Sequence, residues 1–196
     1  MGFDSRWYLA ANRLSERTPW LHPVAAAYAL WAGLVLLAVL LIAAWWTSAR
    51  RGEDPARRVA TAVVTGLGTV LALGANQPLS AAVARPRPFI TFPNALVLLQ
   101  KSADFSFPSD HLMIAGAFVA GFWCLDRRLG AVSLLFSVAL AFARVYSGVH
   151  YPSDVVAGLV VGAAIGAAMQ FLVRGPVGKL LRAAEATRFR PLVRRG

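Results

Sequence analysis

The 196-residue sequence holds one cysteine, Cys124, and three histidines. A lone cysteine forms no internal disulfide, and without clustered Cys or His there is no thiolate metal site. Cys124 therefore reads as a packing residue. Acidic residues are also scarce: nine Asp and Glu stand against twenty Lys and Arg, for a net charge of +11. Charged residues make up 15% of the chain and hydrophobic ones 58%, with a mean hydropathy of +0.58. This balance excludes an ordinary soluble globule. Residues 1–23 lack a continuous apolar stretch and carry Asp4, Arg6, Arg13, Glu16 and Arg17, so no cleavable signal peptide is expected. Trp7, Tyr8, Leu9, Leu14 and Trp20 predict an amphipathic helix in the membrane interface instead. Internal repeats and low-complexity segments are absent.

What the sequence does have is apolar runs, at roughly 24–46, 59–79 and 155–173, with shorter ones near 112–125 and 129–147 that suit helices packed inside a bundle. The expected fold is an all-α integral membrane helical bundle of about five transmembrane helices, with an N-terminal interfacial helix and a long extracytoplasmic loop carrying active-site residues. One domain is expected over 1–196, divided into the interfacial segment 1–23, the bundle 24–173 and a basic cytoplasmic tail 174–196. Arg50, Arg51, Arg57 and Arg58 lie between the first two spans, and Arg127 and Arg128 between the third and fourth. Arg174, Lys179, Arg182, Arg188, Arg190, Arg194 and Arg195 follow the fifth. All three groups fall on one side of a chain that weaves five times, which is the positive-inside pattern of a bacterial cytoplasmic membrane protein. The charge is thus topological, with the tail able to touch anionic lipid, and no nucleic-acid partner is expected. Trp45 and Trp46 sit where an interfacial belt ends the first span. Gly158, Gly162 and Gly166 recur every four residues and allow close approach of a helix, from this chain or from a second copy in a homo-oligomer.

By this topology the stretch from about 80 to 110 lies outside, and so do three polar segments. They are Arg85-Pro86-Arg87-Pro88-Phe89, Phe107-Pro108-Ser109-Asp110-His111, and the run from Arg144 to Asp154. Ionisable groups at the ends of membrane helices are costly unless hydrated, paired or binding something. The planar forks of Arg87 and Arg85 bind phosphate oxygens bidentately, and alone they equally suit headgroup contact. Ser109 to His111 precede an apolar helix, where free N–H groups and the helix dipole make an anion site. Ser109 can donate its hydroxyl there, and His111 a proton to a leaving oxygen; an N-cap is the plainer alternative. In the last segment Gly148 and Pro152 bend the chain so that Arg144, His150 and Asp154 can meet. Asp154 is spaced to fix the His150 tautomer, or, with Ser153, to cap the final helix.

Taken together these segments resemble the type 2 phosphatidic acid phosphatase superfamily, which shares its fold and pocket with vanadium-dependent haloperoxidases. Its motifs run Lys, six residues, Arg-Pro; then Pro-Ser-Gly-His; then Ser-Arg, five residues, His, three residues, Asp. The resemblance spans 80–154. It implies that Arg87 and Arg144 bind phosphate with help from Ser109 and the backbone near Asp110, and that His111 is the acid. It further implies that His150 attacks phosphorus to give a phosphohistidine while Asp154 orients it, with no metal and no cofactor. Three positions depart from the pattern. Ser80 stands where Lys is expected, with Arg85 or Lys101 as substitutes; Asp110 replaces Gly and Ala143 replaces Ser. Pro-Ser-Asp-His, the short length, the segment Asn12 to His22 and Gly148-Val149-His150-Tyr151-Pro152 resemble the undecaprenyl-diphosphate branch that confers bacitracin resistance. A polyprenyl diphosphate is the substrate this implies. Phosphatidylglycerol phosphate, phosphatidic acid and a prenyl-phosphate sugar are alternatives of the same mechanism, and a non-catalytic lipid-phosphate binding or transport protein is an alternative of another class.

Overall fold

A computed structural model describes residues 2–50 and 54–184, apart from the side chains of 48–50. Arg51 and the basic residues from Arg188 onward lie outside the described residues. Helix α1 (Phe3–Arg17) leads through a 3-10 turn (Pro19–Leu21) into α2 (His22–Ala27), a π segment (Tyr28–Ala32) and α3 (Gly33–Arg50), which together form the first span. Then come α4 (Pro55–Val83), the short α5 (Pro88–Thr91), α6 (Asp110–Leu125), α7 (Arg127–Tyr146) and α8 (Pro152–Ala184). The described residues contain no strand. Among the described residues, four helical stretches are long and apolar enough to cross a bilayer: Pro19–Thr47, Pro55–Thr91, Arg127–Tyr146 and Pro152–Ala184.

α6 is the third of the five expected spans and the shortest. Its 16 residues make about 24 Å of helix, less than the hydrocarbon thickness. It lies at the centre of the bundle, in contact with α3, α4, α7 and α8. Leu112, Met113, Ala115, Ala117 and Phe122 are fully buried along it. Within a bilayer, packing rather than water exclusion holds helices together, so small residues set how closely they meet. A Cβ on Gly162 of α8 would lie 2.0 Å from the Met113 carbonyl oxygen, and one on Gly158 would lie 2.5 Å from that of Ser109. The Gly158, Gly162 and Gly166 face expected to serve packing or oligomerisation is therefore spent on α6 of the same chain.

Two helices run further than their apolar runs suggest. α4 reaches Val83, so Ser80 lies in its last turn and not in a loop. The turn closes at Ala84, whose left-handed conformation (φ 49°) lets its N–H donate to the Ser80 carbonyl at 2.9 Å. α8 continues through Arg174 and Pro176 to Ala184, eleven residues past the expected end at 173. Pro176 leaves the Leu172 carbonyl without its usual donor, and Leu172 is exposed, so the helix loses one bond and does not break.

Candidate active site

The C-terminus of α7, the N-termini of α6 and α8, and the 92–109 loop meet at one end of the bundle. Between α7 and α8 the chain turns at Gly148, where φ is 81° and a Cβ would lie 2.3 Å from the Leu96 carbonyl oxygen. Only glycine permits both. The Leu98 N–H donates to the Ser147 carbonyl at 3.1 Å, drawing the loop over this turn. From α1, Asn12 holds the same loop by accepting from the Leu96 N–H and donating to the Leu96 carbonyl. Tyr8 is fully buried beneath it, tilted against Tyr151 and stacked on Phe92.

His150 sits in this turn with 1% of its surface exposed. Its Nδ1 is 2.9 Å from the Ser106 carbonyl oxygen and 3.7 Å from Asp154 Oδ2. A carbonyl oxygen only accepts, so the proton is on Nδ1 and Nε2 keeps its lone pair. Nε2 accepts from Arg144 Nη2 at 3.0 Å and from Arg87 Nη1 at 3.3 Å. Burial pushes the His150 pKa down to about 4; Asp154 opposes the shift and the charges of Arg144 and Arg87 add to it. The ring is thus neutral at physiological pH, with a nucleophilic nitrogen between two permanent cations.

Each arginine is anchored on its other edges. Arg87 Nη1 donates to the Val149 carbonyl at 3.0 Å, and its Nε donates to Asp104 Oδ1 at 3.1 Å. Arg144 Nη1 donates to the Ala29 carbonyl at 3.2 Å. That carbonyl is available because Tyr28–Ala32 is a π turn: the Gly33 N–H goes to the Tyr28 carbonyl, five residues back, instead of to Ala29. The next carbonyl, of Leu30, lies 3.1 Å from His111 Nε2, while His111 Nδ1 lies 2.9 Å from Asp110 Oδ1. With an acceptor at each nitrogen, the ring satisfies both only when it carries two protons, the form that can supply one to a leaving oxygen. The same Asp110 oxygen accepts the His111 N–H and lies 3.9 Å from Arg144 Nη2.

Two donors around the pocket have nothing to bond. Ser109 Oγ and Arg144 Nε are buried and without partners. Such groups cost on the order of 1–3 kcal/mol each, and a hydroxyl and a guanidinium N–H left without acceptors fit an anion with several acceptor oxygens. Among the described residues, no three His, Cys, Asp or Glu converge as metal ligands.

Asp154 caps the final helix from its first turn and reaches His150 through Ser106, not by a direct hydrogen bond. It is the third residue of α8, and its Oδ2 accepts the Tyr151 N–H at 2.8 Å, half of a capping box. The same oxygen accepts the Ser106 hydroxyl, so Asp154 also sets the residue whose carbonyl fixes His150. Its Oδ1 takes Arg85 Nη1 at 2.7 Å.

A model of the PAP2 superfamily matches residues 59–174. The chain belongs to the PAP2 superfamily. Undecaprenyl-diphosphatase BcrC of Bacillus subtilis is 32% identical over 134 residues, 68% of this chain and 65% of that protein. Bacitracin transport permease protein BcrC of Bacillus licheniformis is 40% identical over 78 residues, 39% of this chain and 37% of that protein. A lipid A 1-phosphatase of Rhizobium johnstonii is 47% identical over 62 residues, 32% of this chain and 25% of that protein. Each match thus spans less than two thirds of the relative's own length. Two solved structures share the fold. The crystal structure of Aquifex aeolicus LpxE aligns with a TM-score of 0.64 at 22% identity, covering 87% of this chain and 96% of that one. That of the first transmembrane PAP2 type phosphatidylglycerolphosphate phosphatase from Bacillus subtilis gives 0.55 at 23%, covering 92% and 87%.

This PAP2 chain brings together Arg87, Arg144 and His150, with Asp154, Ser109, Asp110 and His111 around them. It does not bring in the three auxiliary residues. Arg85 pairs with Asp4 and Asp154, donates to Ser153 Oγ at 2.7 Å and lies 4.0 Å over the Tyr151 ring. It is thus committed to positioning, not to Nε2. Lys101 lies 5.8 Å over the Phe89 ring. Ser80 gives its carbonyl to the end of α4, and no contact among the described residues joins it to His150, Arg87 or Arg144. The Ser106 carbonyl and the π-turn carbonyls of Ala29 and Leu30 were not foreseeable, because backbone atoms carry no residue signature.

Proposed function

We propose that this PAP2 protein is a membrane-embedded lipid phosphatase that cleaves the terminal phosphate of a polyprenyl diphosphate, undecaprenyl diphosphate in particular, at the extracytoplasmic face. The carrying observation is the neutral His150 Nε2 held 3.0 Å and 3.3 Å from the Arg144 and Arg87 guanidinium groups. In this reading the terminal phosphoryl group displaces the arginine N–H groups from Nε2 and takes them on its own oxygens. Nε2 then attacks phosphorus, and the bond to the bridging oxygen breaks. His111 gives that oxygen a proton as the polyprenyl monophosphate leaves, and the second arginine face and Ser109 Oγ stabilise the equatorial oxygens. Water next attacks the phosphohistidine, losing its proton to His111, and releases inorganic phosphate and free His150.

The substrate reading is supported by Asp110 in the second motif and by the relatives named for undecaprenyl diphosphate. The outward site is supported by Arg57, Arg58, Arg127, Arg128, Arg174, Lys179 and Arg182, which occupy the opposite end of the bundle. Residues 1–196 act as one domain in this reading, since α1 braces the catalytic loop. Purified protein offered undecaprenyl diphosphate, phosphatidic acid, phosphatidylglycerol phosphate and a prenyl-phosphate sugar in detergent should release phosphate fastest from the diphosphate. His150→Ala should release none. A clear preference for a monophosphate lipid would sink the substrate assignment, and turnover by His150→Ala would sink the nucleophile.

A further inference from the structure

At the end of the bundle opposite His150, α4 and α8 line an open cleft of about 460 Å³. Arg57 lines it from the first turn of α4, and Arg174 and Arg182 line it from α8. One carboxylate, Asp54, stands among the three arginines; it caps α4 through the Arg57 N–H and pairs with Arg182 at 3.4 Å. The guanidinium groups of Arg57 and Arg174 have no hydrogen-bond or ion-pair partner among the described residues. The cleft therefore carries net positive charge from groups free to bind an anion.

A second observation points to what that anion carries. Gln170, 3% exposed, lines the same cleft. Its Nε2 donates to the Thr61 carbonyl at 3.0 Å and to Thr65 Oγ1 at 3.1 Å, which fixes the amide's orientation. Its Oε1 is buried and has no donor. A phosphodiester carries no O–H and would leave that acceptor unmatched, whereas a headgroup hydroxyl would satisfy it. Beside the cleft, Phe171 is 87% exposed and Leu172 66% exposed, so an apolar chain has a surface to lie on.

We propose that this cleft is a binding site for an anionic phospholipid with a hydroxylated headgroup, its phosphodiester on Arg57, Arg174 and Arg182 and its hydroxyl donating to Gln170. Basic pockets between membrane helices suit such headgroups. The site does not rest on the hydrolytic reading, because a phosphodiester lipid is no substrate for a terminal phosphatase.

The test is native mass spectrometry of the full chain in neutral detergent, titrated with short-chain phosphatidylglycerol, phosphatidylmethanol, phosphatidylcholine or inorganic phosphate. Phosphatidylglycerol should bind tightest, phosphatidylmethanol more weakly, and the other two only at background level. Arg57→Gln with Arg174→Gln should weaken phosphatidylglycerol by about thirty-fold, as expected for two arginines worth about 1 kcal/mol each. Hydrolysis in phosphatidylcholine micelles should be unchanged in that variant. Gln170→Met should remove the preference for phosphatidylglycerol over phosphatidylmethanol. Equal binding of phosphatidylcholine, or wild-type binding by the arginine variant, would overturn the site. Inorganic phosphate binding as tightly as phosphatidylglycerol would overturn its lipid assignment.

Discussion

Replacing Asp154 with Asn separates the two roles this residue holds. In the proposed reaction the imidazole becomes cationic once His150 Nε2 bonds to phosphorus, and Asp154 Oδ2 lies 3.7 Å from its far nitrogen. At an effective dielectric of about 20, a unit charge pair at that separation is worth about 4 kcal/mol. Arg85, 2.7 Å from the other carboxylate oxygen, offsets part of this. A loss of about 2–3 kcal/mol in the transition state remains, roughly 30- to 150-fold in the chemical step. Single-turnover phosphate release in detergent, with quenched samples assayed for phosphohistidine, measures that step directly. Ser106→Ala is the companion variant. It keeps the carbonyl that fixes the tautomer and deletes only a hydroxyl bonded to Asp154, so its loss should be smaller, about 1–2 kcal/mol. If Asp154→Asn lowered thermal stability while the folded protein turned over within about three-fold of wild type, well short of a 1.36 kcal/mol decade, the residue would be a helix cap and nothing more. The electrostatic argument would then be wrong.

Two further outcomes follow from the same geometry. Because burial pushes the folded His150 pKa down to about 4, the proposed nucleophile stays unprotonated down to that range, and the acid limb of the single-turnover rate should be governed by His150 only near pH 4. The sign for stability is opposite in direction to a paired histidine: between pH 6.5 and about 4 the unfolded chain takes up the proton first, so this group's contribution falls as pH falls through that window. A His150 ring that titrates near pH 6.5 in the folded protein, followed by NMR alongside an acid limb of the rate at the same pH, would contradict the burial. On the packing side, Gly162→Ala places a methyl 2.0 Å from the Met113 carbonyl and should cost about 3 kcal/mol, whereas Gly66→Ala meets nothing within 4 Å and should be neutral or slightly stabilising. Thermal unfolding in detergent ranks the two, and equal midpoints would refute the close α6 to α8 approach.

Much of this was legible in the chain itself. Membrane helices announce themselves through length and hydropathy, and α6 looked like a bundle-core helix because its apolar run is too short to span. Arg87, Arg144 and His150 were legible because their chemistry and motif spacing agree. Arg85 was misread as a stand-in phosphate ligand, since the sequence does not show that Asp4, 81 positions away, and Asp154 would claim it. Asn12 and Tyr8 were hidden for a similar reason. In a helix whose pattern already satisfies an amphipathic reading, a polar residue that clamps a distant loop looks like one more polar residue. The extension of α8 through Pro176 was missed because proline normally argues for a helix end, and only the exposure of Leu172 makes the lost bond tolerable.

The first membrane helix reaches the pocket through its backbone, where two of its carbonyls hold Arg144 and His111. Both are offered by a single wider turn, an extra residue wound into an otherwise regular helix. The placement of both carbonyls therefore depends on how many residues lie between Tyr28 and Gly33 as well as on the small, fully buried Ala29. An insertion or deletion there would rotate the lipid-facing stripe of α2 by about 100° against α3 and withdraw both carbonyls together. Residue count in this stretch thus reaches the pocket through the backbone, a route that no side chain marks.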